Sequence, residues 1–307
     1  IEVILESRES KGPFKNLFDF CARLDLRKVN RRVVESLIRG GAFDTLEPNR
    51  ASLLASVNLA ITAAEQGKAN IAQNSLFGEE QTQKVDMVHM DPWTPQQKLQ
   101  EEKAALGFYF SGHPFTFFEK RVRPFIKTQI KELKPQEQPY VIAGVIVAIR
   151  IRMTSRGKMA IVTLDDAISR VDVVVGNELL TQSQRLVQED QLLIVEGRVS
   201  HDDFTGGIRV TARKLFDLAT ARNQFAHRLK ISCNGQSDAN KLREMLKPYC
   251  GHPQHDLKRC RVKIDYHNDQ GHVELLLGRE WQVDLHDELI DGLTQWLSEE
   301  NVKILYN

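Results

Sequence analysis

Two neighbouring carboxylates, Asp165 and Asp166, are the first residues in this sequence whose types and spacing suggest catalysis. Carboxylate groups that share metal ions can support phosphoryl transfer. Adjacent side chains on a β-strand, however, point to opposite faces of the sheet, so these two cannot readily share a metal ion. Their position at the end of a strand-like run favours a role in a turn.

Histidines and cysteines offer two further candidates for chemistry. His113 has a side chain suited to acid–base catalysis, but it precedes Pro114 at a predicted helix end, which favours a structural capping role. Four other residues have the side chains of a zinc site, namely Cys250, His252, His255 and Cys260. Their spacing matches no common tetrahedral template. We therefore predict no catalytic residue and no metal site in this chain.

The segment from Gln73 to Phe77 has the character of a binding peptide. It follows a helical pattern that starts near Asn49 and is predicted to stop at Gly67. An extended peptide here exposes Leu76 and Phe77, and full burial of each in a partner's pocket is worth about 1.5–3 kcal/mol. The alternative is a loop whose leucine and phenylalanine pack back on their own domain.

This segment is similar to the bacterial sliding-clamp-binding motif, which has glutamine, two loosely specified residues, leucine and phenylalanine. The resemblance implies that a sliding clamp binds Gln73, Ser75, Leu76 and Phe77. Asn74 stands where that motif more often has an apolar residue, which predicts weaker clamp binding. The amide of Gln73 both donates and accepts hydrogen bonds, which suits it to orient the peptide.

Residues 15–47 show short helical patterns joined by turns, a helix-hairpin-helix arrangement. Between Arg23 and Arg39 there are six basic residues and two acidic ones, an excess of four positive charges. Free N–H groups at helix N-termini and glycine-rich turns bind phosphate without reading bases. We therefore expect duplex DNA contacts from Arg27, Lys28, Arg31, Arg32, Arg39, Gly40 and Gly41. The alternative is a solvated basic face on a small helical domain.

From Tyr140 onward the hydrophobic pattern has period two and indicates five strands. They are predicted at residues 141–149, 158–164, 170–175, 191–199 and 208–215, with a helical stretch at 176–187. This order is typical of an OB-fold, which binds single strands. The predicted contact residues are Arg150, Arg152, Arg156, Lys158, Phe204 and Arg209. Few aromatic residues are available for base stacking, so we expect modest affinity with strong salt dependence.

Residues 226–307 follow the order β-α-β-β-α-β, which suggests a split βαβ sandwich. The second of the two predicted helices has one apolar face for the sheet. Between Asp284 and Glu300 the sequence has six carboxylates and no lysine or arginine. A surface of this charge repels DNA and suits a protein partner.

The composition is that of an ordinary globular protein, with 41% hydrophobic residues, 27% charged residues and a net charge of +1. A length of 307 residues suggests about two to three domains. No apolar run approaches the ~20 residues needed to cross a bilayer. The four scattered cysteines are typical of reduced thiols, so we expect a cytoplasmic protein. The chain begins at Ile1 rather than Met, and we expect it to be part of a longer protein.

Two strings carry a resemblance to a known family, LIRGGAFD at residues 37–44 and EEKAALGFYFSGHPF at residues 101–115. With them, the chain resembles the C-terminal portion of the alpha subunit of DNA polymerase III, the bacterial C-family replicative polymerase. The resemblance implies a multidomain α+β fold with five parts. These are a helix-hairpin-helix duplex-binding unit at 1–70, a clamp peptide at 71–79, a linker and connector helix at 80–138, a single-strand-binding OB-fold at 139–217 and a βαββαβ-like domain at 226–307.

The resemblance also implies partners and limits. The last domain is expected to bind the tau subunit of the clamp loader, with Trp281, Leu305 and Tyr306 as contacts. The parent protein would polymerise DNA with Mg²⁺, whereas this region would need no cofactor and would confer processivity. Two other readings stay open. One is a stand-alone OB-fold accessory protein, and the other is an enzyme that uses its OB-fold as a substrate arm.

Overall fold

A computed structural model describes residues 1–74, 86–155, 157–202, 206–234, 237–250 and 259–306, with the backbone alone for residues 70–74. The chain divides into two compact units, Ile1–His113 and Pro114–Asn307, which we call the helical unit and the barrel unit. Within the described ranges, none of the helices is both long enough and apolar enough to span a membrane.

The helical unit is built from helices packed around an apolar core. Its helices are α1 (Glu2–Lys11), α2 (Leu17–Arg23), α3 (Arg31–Arg39), α4 (Arg50–Asn74) and α5 (Pro95–Leu106). Asn16 and Asn30 begin α2 and α3, and each side chain accepts a hydrogen bond from a backbone N–H of the first turn, at 2.9 and 3.2 Å. Leu17, Cys21 and Ile38 are among the residues buried between α2, α3 and α4. The predicted helix-hairpin-helix arrangement of α2 and α3 is confirmed.

The prediction that a helix ends at Gly67 is wrong, because α4 continues to Asn74. Glycine in a helix interior costs only about 1 kcal/mol relative to alanine, and good helix formers such as Lys68 and Ala69 follow it. The backbone of Gln73 and Asn74 is therefore helical rather than extended. The rest of the predicted clamp peptide, Ser75, Leu76 and Phe77, lies outside the described residues.

The barrel unit begins with α6 (Thr116–Val122) and continues into a closed five-stranded barrel. The strands are β1 (Tyr140–Thr154), β2 (Gly157–Asp165), β3 (Arg170–Val175), β4 (Leu192–His201) and β5 (Ile208–Phe216), with α7 (Asn177–Gln182) after β3. Their order around the barrel is β1-β2-β3-β5-β4, and only β3 and β5 pair in parallel. The predicted OB-fold is confirmed.

Successive side chains along each strand point alternately into and out of the barrel, and apolar side chains fill the inside. There Ile146, Val162 and Val173 have no exposed surface. The register of β1 against β2 shifts between Ile146 and Ala148. Such a bulge adds one residue and re-aims every side chain that follows it. The side chains of β1 after the bulge therefore alternate in the opposite phase from those before it.

The chain continues from the barrel into a four-stranded sheet covered by helices. Its elements are α8 (Leu218–Phe225), β6 (Ala226–Asn234), α9 (Ala239–Leu246), β7 (Arg261–Asn268), β8 (Gly271–Leu276), α10 (Asp287–Leu297) and β9 (Val302–Tyr306). The predicted order β-α-β-β-α-β is confirmed. The expected split arrangement is wrong, because β6 pairs directly with β7 in parallel and the sheet order is β8-β7-β6-β9. No strand separates β6 from β7, so α9 makes an unsplit crossover.

Candidate nucleic-acid interface

The turn after α3 is fixed by a buried arginine. Arg50 is 5% exposed, and its guanidinium donates to both carboxylate oxygens of Asp44, at 2.7 and 2.6 Å, and to the carbonyl of Arg39 at 2.9 Å. Gly41 has a φ of +86°, and a Cβ there would collide with the guanidinium of Arg50. Gly41 is therefore a position that only glycine fits.

A second buried charge extends this network. Arg50 donates to Oε1 of Glu102 at 3.0 Å, and Glu102 has no exposed surface. The other oxygen of Glu102 accepts from the backbone N–H groups of Phe110 and Ser111, at 3.0 and 2.8 Å. We call Asp44, Arg50 and Glu102 the buried ion network. It joins the turn after α3 to the loop after α5.

Arg50 and Glu102 are both held in their charged forms, as the directions of their pKa shifts indicate. The hydrogen bond to Asp44 raises the pKa of Arg50, although burial opposes this. Burial alone would raise the pKa of Glu102, but the hydrogen bonds from Ser111, Phe110 and Arg50 outweigh it and lower the pKa. A buried charge that is paired and hydrogen-bonded in this way is a structural element rather than a titrating catalyst.

The backbone N–H groups at the glycine turn are already bonded. Those of Gly40, Gly41 and Ala42 donate to carbonyls of α3, at 2.9, 3.0 and 2.9 Å. They are therefore not free to bind phosphate, contrary to our expectation for this turn. The N-terminus of α3 differs, because the first N–H groups of a helix have no intrahelical acceptor. The N–H groups of Arg31 and Arg32 lie there.

The basic side chains predicted to contact duplex DNA fall into two groups. Arg31 pairs with Glu35 at 2.6 Å, and Arg39 pairs with Glu101. Arg27, Lys28 and Arg32 are exposed, and within the described residues they form no ion pair. These three lie on the loop before α3 and on its first turn. The charge available for phosphate thus lies at the N-terminal end of α3.

On the barrel, the described basic residues of the β1–β2 hairpin that we predicted to contact a single strand do not all share one surface. Arg150 lies opposite Ile161 and Arg152 opposite Met159, whereas Lys158 lies opposite Met153. Directly paired residues project to the same face of a sheet, and neighbours along a strand alternate. Arg150 and Arg152 are therefore on one face of the β1–β2 hairpin and Lys158 is on the other. Arg156 lies outside the described residues.

We call the face that carries Arg150, Arg152 and Arg209 the outer barrel face, and a carboxylate lies between two of these arginines. Arg150 donates to Asp172 at 2.5 Å, and Asp172 lies beside Arg209 in the parallel pairing of β3 with β5. Asp172 also accepts from the hydroxyl of Thr163 at 2.6 Å. A phosphate that binds Arg150 must compete with this carboxylate, which lowers the affinity expected of the face.

The stacking aromatics expected on the barrel are not available among the described residues. Phe216 is buried at 8% exposure, and Tyr140 packs partly against the core. Phe204 lies outside the described residues. Ile151 and Met153, at 54% and 73% exposed, instead present apolar surface near the end of the β1–β2 hairpin. Our sequence reasoning overlooked them, although their alternation with Arg150 and Arg152 was visible.

The three residues predicted to contact tau have different surroundings. Tyr306 packs against Phe125 with ring centroids 5.0 Å apart, and burial raises its pKa to about 12. Trp281 is half-buried against the core of the sheet. Leu305 is 38% exposed on β9. Of the three, Leu305 has the largest exposed fraction.

The acidic surface of the last helix is partly neutralised. Asp287 accepts from Arg121 and Arg222, each at 2.6 Å. Burial opposes ionisation of Asp287, but these hydrogen bonds outweigh it and its pKa is lowered. Asp284 bonds to the amide of Asn223. The carboxylates left for a partner are therefore fewer than the sequence suggested.

Asp165 and Asp166 both accept hydrogen bonds at the turn that follows β2. Asp165 accepts from the N–H of Ala167 at 2.9 Å and from Arg170 at 2.6 Å. Asp166 accepts from the N–H groups of Ile168, Ser169 and Ile130. The predicted turn role of this pair is therefore confirmed.

His113 lies in a loop, and Cys250 and Cys260 lie at isolated β-bridges. Since α5 ends at Leu106, His113 lies in the loop beyond the helix, where its ring is 6.3 Å from that of Tyr109. Its expected place at a helix end is wrong. Cys250 and Cys260 both pair with Val283 through isolated bridges, and His252 and His255 lie outside the described residues. Within the described ranges no group of three or more His, Cys, Asp or Glu is placed to hold a metal ion.

Sequence reasoning also overlooked residues of the helical unit. The network partners Arg50 and Glu102 are far apart in the sequence and gave no local signal. Phe108 and Phe110, at 57% and 70% exposed, carry apolar surface on a loop. A run of aromatic residues between Gly107 and Gly112 was the available sign, because glycines at both ends indicate a loop.

Family models match three parts of the chain. The model of a helix-hairpin-helix motif matches residues 1–53, that of an OB-fold nucleic acid binding domain matches residues 140–218, and that of the DNA polymerase III subunit alpha C-terminal domain matches residues 241–297. Each match coincides with a part of the structure described above.

The relatives that match the whole of this chain are alpha subunits of DNA polymerase III. The chain is 37% identical over 321 residues to DNA polymerase III subunit alpha of Escherichia coli K12, covering 100% of this chain and 27% of that protein. It is 36% identical over 308 residues to the same subunit of Neisseria meningitidis serogroup A, covering 99% of this chain and 27% of the relative. The chain thus spans about a quarter of the length of these relatives.

Among solved structures, the single-stranded DNA-binding domain of a Synechococcus protein covers 28% of this chain and 100% of its own, with 16% identity and a TM-score of 0.24. The second OB-fold domain of replication protein A from Methanococcus maripaludis covers 29% of this chain and 91% of its own, with 19% identity and the same score. Likenesses at this score do not bear on function.

Proposed function

We propose that this chain, which belongs to the DNA polymerase III alpha-subunit family, is the part of such a subunit that holds the enzyme on its substrate. One observation carries the proposal. A helix-hairpin-helix unit and a closed OB barrel occur together in one chain, and that chain is similar over its whole length to those subunits. The helical unit binds duplex DNA, and the barrel binds the single-stranded template.

The helical unit binds phosphate at the N-terminal end of α3. The exposed cations Arg27, Lys28 and Arg32 lie at this end. The N–H groups of Arg31 and Arg32 add hydrogen-bond donors, and the positive end of the helix dipole lies there as well. Contacts of this kind position a duplex without reading its sequence.

The outer barrel face, with Arg150, Arg152 and Arg209, follows the backbone of the single strand. Asp172 competes for Arg150, and no aromatic side chain is available on this face within the described ranges. The binding is therefore weak, electrostatic and sensitive to salt.

Two protein partners complete the proposal. A sliding clamp binds Gln73 in the last turn of α4 together with Ser75, Leu76 and Phe77, and the tau subunit of the clamp loader binds the C-terminal domain near Leu305. When weak contacts are joined in one chain, forming one contact raises the effective concentration for the others, and the chain stays on DNA for longer. The polymerisation chemistry and its Mg²⁺ belong to the remainder of the parent protein, and we place that protein in the cytoplasm.

The alternative of a stand-alone accessory protein is favoured by no specific observation, because the similarity to the alpha subunits extends beyond the barrel to 99–100% of the chain. The alternative of a synthetase-like enzyme likewise rests on the barrel alone.

Single-strand binding by the barrel can be tested with the full chain and a fluorescent single strand, by measuring anisotropy over a range of salt concentrations. We expect Arg150→Ser with Arg152→Ser to weaken binding and to reduce the salt slope by about one for each lost contact. Lys158→Ser, on the other face of the hairpin, should change neither.

The matched control replaces two exposed lysines outside the barrel strands, Lys131→Ser with Lys134→Ser. If this pair lowers the slope as much as the arginine pair does, the binding reflects general charge and the barrel assignment fails.

A further inference from the structure

Two exposed phenylalanines lie on one short loop of the helical unit. Phe110 is 70% exposed and Phe108 is 57% exposed, while Tyr109 between them is half-buried. We call residues 107–112 the aromatic loop. Exposed phenylalanine is costly in water, and neighbouring exposed aromatics often mark a binding site.

The aromatic loop is held in place from beneath. Glu102 is fully buried and accepts the N–H groups of Phe110 and Ser111 at 3.0 and 2.8 Å. The ammonium of Lys103 lies 5.6 Å from the ring centroid of Tyr109. Gly107, with a φ of +83°, ends α5 and turns the chain into the loop. The two phenylalanines therefore stand on a fixed backbone, which lowers the entropy lost when they bind.

The buried ion network places this loop beside the turn after α3. From Glu102, which holds the loop, Arg50 reaches the carbonyl of Arg39 at 2.9 Å. Leu106, at the end of α5, approaches Gly40 so closely that a Cβ there would be 3.1 Å from its Cδ2 atom. The aromatic loop thus lies beside the C-terminal end of α3, and the exposed cations lie at the other end of the same helix, about 13 Å away.

The charge of this region favours nucleic acid over an apolar protein groove as the occupant. Exposed Arg27, Lys28 and Arg32 lie on the same small unit, and within the described ranges no carboxylate pairs with them. Cations bind the backbone of a nucleic acid, and aromatic rings stack on bases wherever these are unpaired. A duplex interior offers no such base, whereas the junction between duplex and single strand does.

We propose that Phe108 and Phe110 stack on the unpaired bases next to the end of a duplex that the helical unit holds. This inference rests on the proposed function, in which the helical unit binds duplex DNA, and it assigns that unit a preference for junctions. The buried ion network positions the two rings, and the rings themselves carry the contact.

The test compares a duplex that has a single-stranded overhang with a blunt duplex of the same length, using the full chain. Phe108→Ala with Phe110→Ala should weaken junction binding about ten-fold or more, since stacking is worth ~1–3 kcal/mol per base. Binding to the blunt duplex should change little. The salt slope should stay the same, because no charge is lost.

A second readout reports stacking directly. With 2-aminopurine as the first unpaired base, the wild-type chain should change its fluorescence on binding, and the double variant at saturating concentration should not. Phe110→Trp should retain the effect. Phe117→Ala is the matched control, because Phe117 is also an exposed phenylalanine, at 38%, but lies in the barrel unit.

Equal junction affinity and equal 2-aminopurine response for the wild type and the double variant would overturn the stacking proposal and leave duplex binding intact. That result would point to a protein pocket for the two rings. Failure of the wild-type chain to bind any duplex would instead remove the proposed function together with this inference.

Discussion

At the residue scale, the buried pair Arg50 and Glu102 shows how one contact can organise a site. Their side chains are 4% and 0% exposed, and they lie 52 positions apart in the sequence. Desolvating two charges costs several kcal/mol each, which only good geometry and further hydrogen bonds offset. Asp44, the carbonyl of Arg39 and two loop N–H groups supply those bonds.

Replacing Glu102 should therefore be severe. We expect Glu102→Gln to lower the free energy of unfolding of the helical unit by about 3 kcal/mol, because it removes the charge that compensates Arg50. Glu101→Gln is the matched control, since Glu101 pairs with Arg39 near the surface, and it should cost at most about 1 kcal/mol. Denaturant unfolding followed by circular dichroism measures both. Similar losses for the two variants would show that burial of Glu102 has no special role.

Glu102 also makes the folding stability of the chain depend on pH, and its lowered pKa sets the direction of that dependence. The pKa of Glu102 is lowered in the folded chain from the ordinary value of 4.5. Its ionised form therefore contributes stability that is fully present well above pH 4.5 and is lost as the pH falls through the lowered pKa. We expect the stability difference between the wild type and Glu102→Gln to shrink as the pH falls below about 4.5. A difference that stays constant to acid pH would contradict this account.

At the scale of elements, the pattern of apolar residues predicted the strands well. The predicted strand 170–175 agrees with β3 at both ends. The period-two pattern is enough here because one face of each strand is buried. The bulge after Ile146 has no such signature, and it decides which side of the β1–β2 hairpin each basic residue faces.

Replacing a glycine with alanine should change the free energy of unfolding in opposite directions in α4 and in β4. Gly67 lies within α4 and a Cβ there would meet no atom within 4 Å, so Gly67→Ala should raise the free energy of unfolding by about 0.5–1 kcal/mol. Gly197 lies at a register shift in β4, where a Cβ would lie 2.6 Å from Val210 Cγ1 and 2.8 Å from the carbonyl of Thr211. Gly197→Ala should therefore destabilise the barrel unit by about 1–3 kcal/mol. Destabilisation by Gly67→Ala would contradict the continuation of α4.

At the scale of the whole molecule, function is proposed to come from several weak contacts in one chain. In this proposal, unit Ile1–His113 carries the duplex contact and the clamp segment, and unit Pro114–Asn307 carries the barrel and the C-terminal domain. Each contact alone is modest, since charge on an exposed surface is screened by salt. Joined contacts dissociate only when all of them open together.

The clamp contact is the sharpest test at this scale. We expect Leu76→Ala with Phe77→Ala to weaken binding of the full chain to a sliding clamp about 100-fold or more, because two apolar side chains lose their burial. Surface plasmon resonance with immobilised clamp measures the effect. The matched control is Val88→Ala with Met90→Ala, a nearby pair at 40% and 47% exposed, which should bind as the wild type does. Equal binding by both pairs would remove the clamp assignment.

The sequence by itself determined the order of elements, the OB-fold and the family, because burial periodicity and local strings such as residues 101–115 depend only on neighbours in the chain. It determined which residues are basic, but the surface each one faces depended on strand register and on one bulge. Tertiary structure alone decided the direct pairing of β6 with β7, the competition of Asp172 for Arg150 and the buried ion network. Each of these brings together residues far apart in the sequence, and the energy of such a contact exists only once the chain has folded around it.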